Sequence, residues 1–272
     1  MAYNPIHRFF YCNGQKKEVA KFKPILASSG VYEVLRIYDG VPLFLEDHLE
    51  RFYNSASLAG KTIRYGKSQI AQFVMELIRD NEVSEGNIFI WSADAFITFF
   101  IPHKYPDEKW YETGVRCGIL MAERDNPKAK VFLTSVRKAA DEMMAKQGFY
   151  EVLLVDSAGR ITEGSRSNVF FVKNDRLFTP KAGDVLSGIT RQKIISLAQN
   201  MNIEIVEADI FLSEVAEFQA LFLSGTSPKI LPVSKLSEIS FNLKDRLVRL
   251  LMQKYDKLIA DYIQAEKGIL DF

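Results

Sequence analysis

The densest chemistry in the chain lies in Arg160–Asn168, RITEGSRSN, directly ahead of the apolar run Val169–Val172. One acid, Glu163, stands among hydroxyls and arginines at the edge of a segment patterned as a buried strand. A carboxylate left unpaired there is expensive to desolvate, so Glu163 requires a cationic partner. Two kinds would serve. One is a turn arginine, Arg160 or Arg166. The other is the protonated nitrogen of a bound pyridine ring, whose electron demand the acid would sustain.

Two more segments suit an anion. LSGITRQ places Gly188 just before a helical pattern, so the amides of Ile189 and Thr190 would face outward at a positive helix end. LSGTSP ends an apolar strand with Ser224, Gly225, Thr226 and Ser227, a turn rich in hydroxyls and N–H groups. Arg51, in HLERF, could add a charge-assisted contact. Each also has an ordinary reading, because a glycine before a helix is usually a turn and a helical arginine is usually solvated. Two anion-compatible turns without a P-loop or a G-x-G-x-x-G suggest one phosphate rather than a nucleotide.

The elements that must position these groups alternate along the chain. GVYEVLRIYDGVPLFL reads as a hairpin about the turn YDGVP. EDHLERFYNSASLAG reads as a helix, with Leu45, Leu49, Phe52, Ala56 and Ala59 on one stripe and Gly60 as its stop. SQIAQFVMELIRDN is a second helix, and Asn87–Trp91 and Phe96–Ile101 are aromatic-rich strands. HKYPDEKWYETGV and MAERDNPKAK are polar and turn-rich. The boundary between two α/β halves is expected there, with residues 1–120 in the first, 121–128 as a loop and 129–272 in the second. In the second half VFLTS, YEVLLVD, NVFFV, RLFTP, IEIVEADI and ALFLS read as strands. SVRKAADEMMAKQG, GITRQKIISLAQNMN, LSEVAEFQ and Leu243 to about Ala265 read as helices.

Composition narrows the class. Of 272 residues 47% are hydrophobic, enough for a sizeable core, and 35 basic against 34 acidic residues leave a net charge of +1. That balance argues against nucleic acid or an anionic membrane as partner. Two cysteines, Cys12 and Cys117, and three separated histidines suit neither a disulfide scaffold nor a metal site. The first residues lack the apolar core of a signal peptide. IFIWSADAFITFFI, the longest apolar stretch, is broken by Asp94 and falls short of the ~18 residues of a membrane span. The expectation is a soluble cytoplasmic protein.

Four segments, GVYEVLRIYDGVPLFLEDHLERFYNSA, EVLLVDSAGRITEGSRSNVFFV with LFTP, VLSGITRQKII and LFLSGTSPKILPV, together resemble the class IV aminotransferase family. This is the fold-type IV group of pyridoxal phosphate (PLP) enzymes, which holds branched-chain aminotransferases, D-amino acid aminotransferases and aminodeoxychorismate lyases. The resemblance implies a two-domain α/β (α+β) fold, each half a mixed sheet with packed helices. It also implies an active homodimer. It implies that Glu163 faces the pyridine nitrogen, and that Arg51, Ile189, Thr190, Gly225 and Thr226 hold the cofactor phosphate. Tyr32 would line the substrate side and Asn168 support the loop. Lys130 matches the lysine that carries PLP and acts as general base. Lys128 would point the opposite way along an extended chain, and Lys138 falls in the next helix. Some family features are missing. Only Gly30 remains of the run that usually precedes the aromatic, Lys130 is followed by Val131 and Phe132, and AFITFFIPHKYP lacks the arginine of the D-amino acid enzymes. The expected activity is amino transfer between a small amino acid, branched-chain ones included, and a 2-oxo acid. Lyase chemistry giving 4-aminobenzoate and pyruvate, or a non-catalytic family member, are the alternatives.

Overall fold

The computed structural model describes residues 4–24, 30–124, 127–131 and 135–270. The chain divides into two compact units, one of residues 1–104, 129–133 and 258–272, the other of residues 105–128 and 134–257.

The first unit contains β1 (Phe9–Cys12), β2 (Gln15–Glu18), β3 (Val31–Tyr38), β4 (Val41–Pro42), α1 (Leu45–Leu58), α2 (Lys67–Asp80), β5 (Gly86–Ser92) and β6 (Phe96–Ile101). Its strands form one sheet in the order β2-β1-β6-β5-β3-β4. Every neighbouring pair is antiparallel. The β3–β4 turn is closed by Asp39 and Gly40, both at positive φ (52° and 77°), the backbone a tight primed turn needs and glycine most readily supplies. Because strand side chains alternate, the sheet offers two apolar faces. Val31, Leu35, Ile88, Ile90 and Phe100 pack with Leu49, Phe52 and Ala56 of α1 and Ile70, Val74 and Leu77 of α2. Phe10, Tyr32, Phe89, Trp91 and Phe99 form a second cluster. Phe52 has no exposed surface, and its truncation to alanine would cost about 3–5 kcal/mol.

The second unit follows with α3 (Trp110–Thr113), β7 (Val115–Met121), α4 (Ser135–Gln147), β8 (Glu151–Val155), β9 (Arg160–Gly164), β10 (Asn168–Lys173), β11 (Arg176–Pro180) and α5 (Ile189–Asn200). It continues with β12 (Ile205–Ala208), β13 (Ile210–Phe211), β14 (Ala220–Gly225), β15 (Lys229–Leu236), β16 (Ile239–Ser240) and the first half of α6 (Arg246–Leu270). The sheet order is β12-β11-β10-β14-β15-β7-β8-β9-β13, with β16 on β15. Parallel pairs (β7–β8, β7–β15, β11–β12) mix with antiparallel ones. β8 and most of β10 and β14 are buried residue after residue, as continuous apolar runs require when both sheet faces are covered. The fold is the mixed α/β arrangement expected, with two sheets and packed helices.

Some expectations are corrected. The polar stretch HKYPDEKWYETGV holds the single-turn helix α3. LSEVAEFQ is helical as expected, as a 3-10 helix over Leu212–Glu217. Of the expected strand VFLTS, Phe132, Leu133 and Thr134 lie outside the described residues, as does Asn126 of the expected Asn-Pro turn. Among the described residues, no helix is long and apolar enough to cross a membrane.

Candidate active site

In the first unit α1 carries a polar stripe beside its apolar one. His48, Arg51 and Ser55 are spaced three and four residues apart and share a face. All three are buried. Opposite them, Glu33 of β3 has no exposed surface. Arg51 grips it with a fork, Nε donating to Oε1 at 2.7 Å and one Nη to Oε2 at 2.6 Å. His48 Nδ1 lies 2.8 Å from Glu33 Oε2. Burial alone would push the Glu33 carboxyl up, but the Arg51 charge and the Arg51 and His48 hydrogen bonds outweigh it and hold the group far below the usual carboxylate range. Burial likewise pushes His48 down, against the pull of Glu33 and with the Arg51 and Lys130 charges. His48 is therefore neutral near pH 7, and Nδ1–H is the donor to Glu33.

The next residue along the α1 stripe engages the lysine segment. Ser55 Oγ accepts the Lys130 amide at 3.3 Å, and Lys130 O accepts the Tyr32 amide at 3.1 Å. A bridge between Val31 and Val131 extends this pairing. The Lys130 backbone is thus pinned between β3 and α1, and its Nζ sits 4.9 Å from the centre of the Tyr32 ring. Lys128 is exposed and Lys130 half-buried. Lys138 is exposed on α4, 4.0 Å from Glu142.

In the second unit Glu163, next to last in β9, is almost fully buried, at 3% exposure. Its cationic protein partner is neither of the two arginines nearest in sequence. Arg160 binds Asp156 and Asp209, and Arg166 binds Asp141. Glu163 Oε1 instead lies 3.0 Å from Nε of Arg124, a residue in the stretch read above as a connecting loop. Arg124 also donates from Nη2 to Ser165 O at 2.8 Å. The loop after Glu163 is shaped by a second buried acid, Glu151. It accepts from the Ser165 and Arg166 amides (3.2 and 3.1 Å) and from the Ser165 and Ser167 hydroxyls (2.6 and 3.0 Å).

A continuous set of contacts leads from Glu163 to the amino end of α5. Glu163 Oε2 accepts the Leu186 amide at 3.2 Å. Leu186 O accepts from Asn168 Nδ2 at 2.9 Å. Asn168 lies directly across the β-ladder from Ser224, and its Oδ1 sits so close to Gly188 that a Cβ there would come within 2.0 Å. Helix α5 starts at Ile189, has no acid in its first turn, and must leave its first amides without helical acceptors. Ile189 and Thr190 are each 3% exposed. The Ser224 hydroxyl is buried with no hydrogen-bond partner among the described residues, and Gly225 and Thr226 continue the turn half-buried. This unit therefore offers a buried carboxylate and, three residues beyond the Leu186 amide, a bare helix start beside an orphaned hydroxyl. Three residues span at most about 10 Å, so the arrangement fits a small molecule with a cationic ring nitrogen and a phosphate.

Glu33, His48, Arg124 and Glu151 were not singled out from sequence. An inward-facing acid between Val31 and Leu35, with a His-x-x-Arg spacing on the following helix, is the signal that marks the first two. Arg124 has no such local signal.

Comparison with known proteins agrees with the fold and the segments. The model of the amino-transferase class IV family matches residues 30–236. A probable branched-chain-amino-acid aminotransferase of Rickettsia bellii is 27% identical over 263 residues, covering 85% of this chain and 87% of that protein. D-alanine aminotransferase of Listeria monocytogenes is 27% identical, covering 77% and 79%. Among solved structures, the branched-chain amino acid aminotransferase of Thermobaculum terrenum in its PLP form is similar in fold, with a TM-score of 0.79 at 21% identity over 94% of this chain and 94% of that one. With a family match spanning well over half its length, the chain belongs to the class IV aminotransferases, a family of PLP-dependent enzymes.

Proposed function

We propose that this enzyme uses PLP to transfer the amino group of a small amino acid, of the branched-chain or alanine type, to a 2-oxo acid. The carrying observation is Glu163, a nearly buried carboxylate 3.0 Å from the Arg124 guanidinium, in contact through Leu186 with a helix start that suits a phosphate. The relatives named for branched-chain amino acids and for D-alanine support the substrate class. They leave the preferred hand to the assay.

PLP, when bound, supplies an electron sink for the pair left at the substrate α-carbon. The chain supplies the rest. Glu163 makes a positive charge on the ring nitrogen favourable. Ile189 and Thr190 offer amides, Thr226 a hydroxyl and Arg51 a guanidinium to the phosphate. Lys130 would hold the cofactor until the substrate amine takes its place, and its freed Nζ would then take the α-proton of the amino acid as general base. The Tyr32 ring beside that amine bounds the substrate side. The active form should be a homodimer, which sedimentation of the PLP-loaded protein would test.

The test loads the protein with PLP and adds L-leucine, L-valine, L-alanine or D-alanine singly. Pyridoxamine phosphate should accumulate with at least one donor. Lys130→Ala should lower turnover by about 10²–10⁴-fold, the usual scale for a lost general base, and remove the absorbance of lysine-linked cofactor. No pyridoxamine phosphate with any donor, together with 4-aminobenzoate released from aminodeoxychorismate, would replace this reading by the lyase.

A further inference from the structure

The most heavily invested polar group in the first unit is one that the reaction does not use directly. Glu33 is fully buried at 0% exposure, and two charge-assisted bonds and one imidazole bond converge on it. A buried ion pair is a poor source of stability, because desolvation of both charges offsets the Coulombic gain, and apolar residues of like volume often serve better. Packing alone therefore does not account for an acid here, in a sheet face otherwise made of Val31, Leu35, Ile88 and Ile90.

Geometry gives it a task. The guanidinium is planar, and Glu33 takes Nε and one Nη together. That bidentate grip fixes the plane of the group and so the direction of its N–H bonds. His48, one α-helical turn before Arg51, holds the shared oxygen Oε2 from a second direction. As a neutral donor it adds no charge that would compete with the guanidinium. We propose that Glu33, braced by His48, is a positioning residue that fixes the guanidinium of Arg51 for the phosphate of the cofactor. This rests on the reading of Arg51 as a phosphate ligand given above. Without Glu33 the arginine keeps its charge but loses the grip on its Nε–Nη edge, so phosphate recognition weakens while the remainder of the cofactor is bound as before.

The experiment measures binding to the apoprotein of two aldehydes that differ only in the phosphate, PLP and pyridoxal, by absorbance and by competition with inorganic phosphate. Wild type, Glu33→Gln, Arg51→Met and the double variant are compared. Arg51→Met should weaken PLP far more than pyridoxal. Glu33→Gln should weaken PLP about 10- to 100-fold, the scale of hydrogen bonds to a charged group, and leave pyridoxal within about twofold. In the Arg51→Met background Glu33→Gln should have no further effect on PLP, since its action runs through Arg51. Where Glu33→Gln folds poorly, Glu33→Asp, which keeps the buried charge paired but shortens the reach to the Nε–Nη edge, gives the same comparison of PLP with pyridoxal. Equal loss of PLP and pyridoxal in Glu33→Gln, with Arg51→Met still discriminating, would overturn the positioning role alone. If Arg51→Met does not discriminate phosphate, both the arginine assignment and the inference fall.

Discussion

Of the four acids buried among the described residues, Asp156 pairs with Arg160, and Glu33, Glu163 and Glu151 are each answered differently. Glu33 has a guanidinium fork and an imidazole, Glu163 an arginine and one amide, Glu151 a cage of amides and hydroxyls. The first of these arrangements has a pH signature. The folded-state pKa of Glu33 lies below its ordinary value of 4.5. Its contribution to stability is therefore complete above about pH 4.5 and drains away as pH falls toward the folded value. The folded-state pKa of His48 also lies below its ordinary 6.5. The unfolded chain takes up that proton first, so stability declines as pH falls through about 6.5. Both groups tilt the curve the same way, in separate windows. Urea midpoints measured between about pH 7.5 and 5.5 should fall less steeply in His48→Asn than in wild type, and between about pH 5 and 3.5 less steeply in Glu33→Gln. An unchanged slope in His48→Asn would mean that the imidazole is not held neutral.

Among the elements, the junction of β10 with α5 carries the tightest steric demand. Gly188 has an ordinary φ of −68°, so any residue could adopt its backbone. What it lacks room for is a Cβ, because Asn168 Oδ1 occupies that place. Gly188→Ala should therefore cost about 1–3 kcal/mol through overpacking, displacing Asn168 from Leu186 O and loosening the start of α5. Asn168→Ala in the same chain should restore much of the stability by making space. It should not restore PLP affinity, because the Leu186–Ile189 segment then loses its Asn168 anchor and keeps only the Glu163 contact. Full recovery of both in the double variant would show that Asn168 merely fills space. This junction also shows what a sequence can and cannot disclose. The glycine, the hydroxyl turn and Glu163 are legible because each sits in a local pattern of turn or helix start. The elements with strong periods are legible for the same reason, as in α1 and α2, whose apolar positions repeat at helical spacing, while β6 reads as a strand from its run of aromatic and β-branched residues. β7 is not, since VRCGILM has a glycine in mid-strand. It is a strand through its parallel partners β8 and β15, with the Phe149 ring lying where a Gly118 side chain would be. Arg124 escapes notice similarly, because its importance comes from Glu163, brought near only by folding.

For the molecule as a whole, the roles proposed above make the cofactor a stabilising ligand as well as a reagent. Each unit has its own apolar core, one around Phe52, Leu77 and Phe100, the other around Leu153, Phe171 and Leu223. Folding therefore does not depend on PLP for a core, and the apoprotein should be folded and monodisperse. Ligand binding then adds stability by mass action, about 2.7 kcal/mol when free PLP is about 100-fold above its dissociation constant. For a chain of this size that corresponds to a rise in melting temperature of about 5 °C or more. Pyridoxal at the same concentration should raise it less, because the α5 amino end and the Ser224–Thr226 turn contribute only when a phosphate is present. A thermal scan in the two aldehydes distinguishes the sources of affinity without any turnover. Equal shifts with PLP and pyridoxal would remove the phosphate role from the α5 end and Arg51 alike. A shift confined to PLP, and reduced in Glu163→Gln, would tie both ends of the second unit's contact set to one ligand.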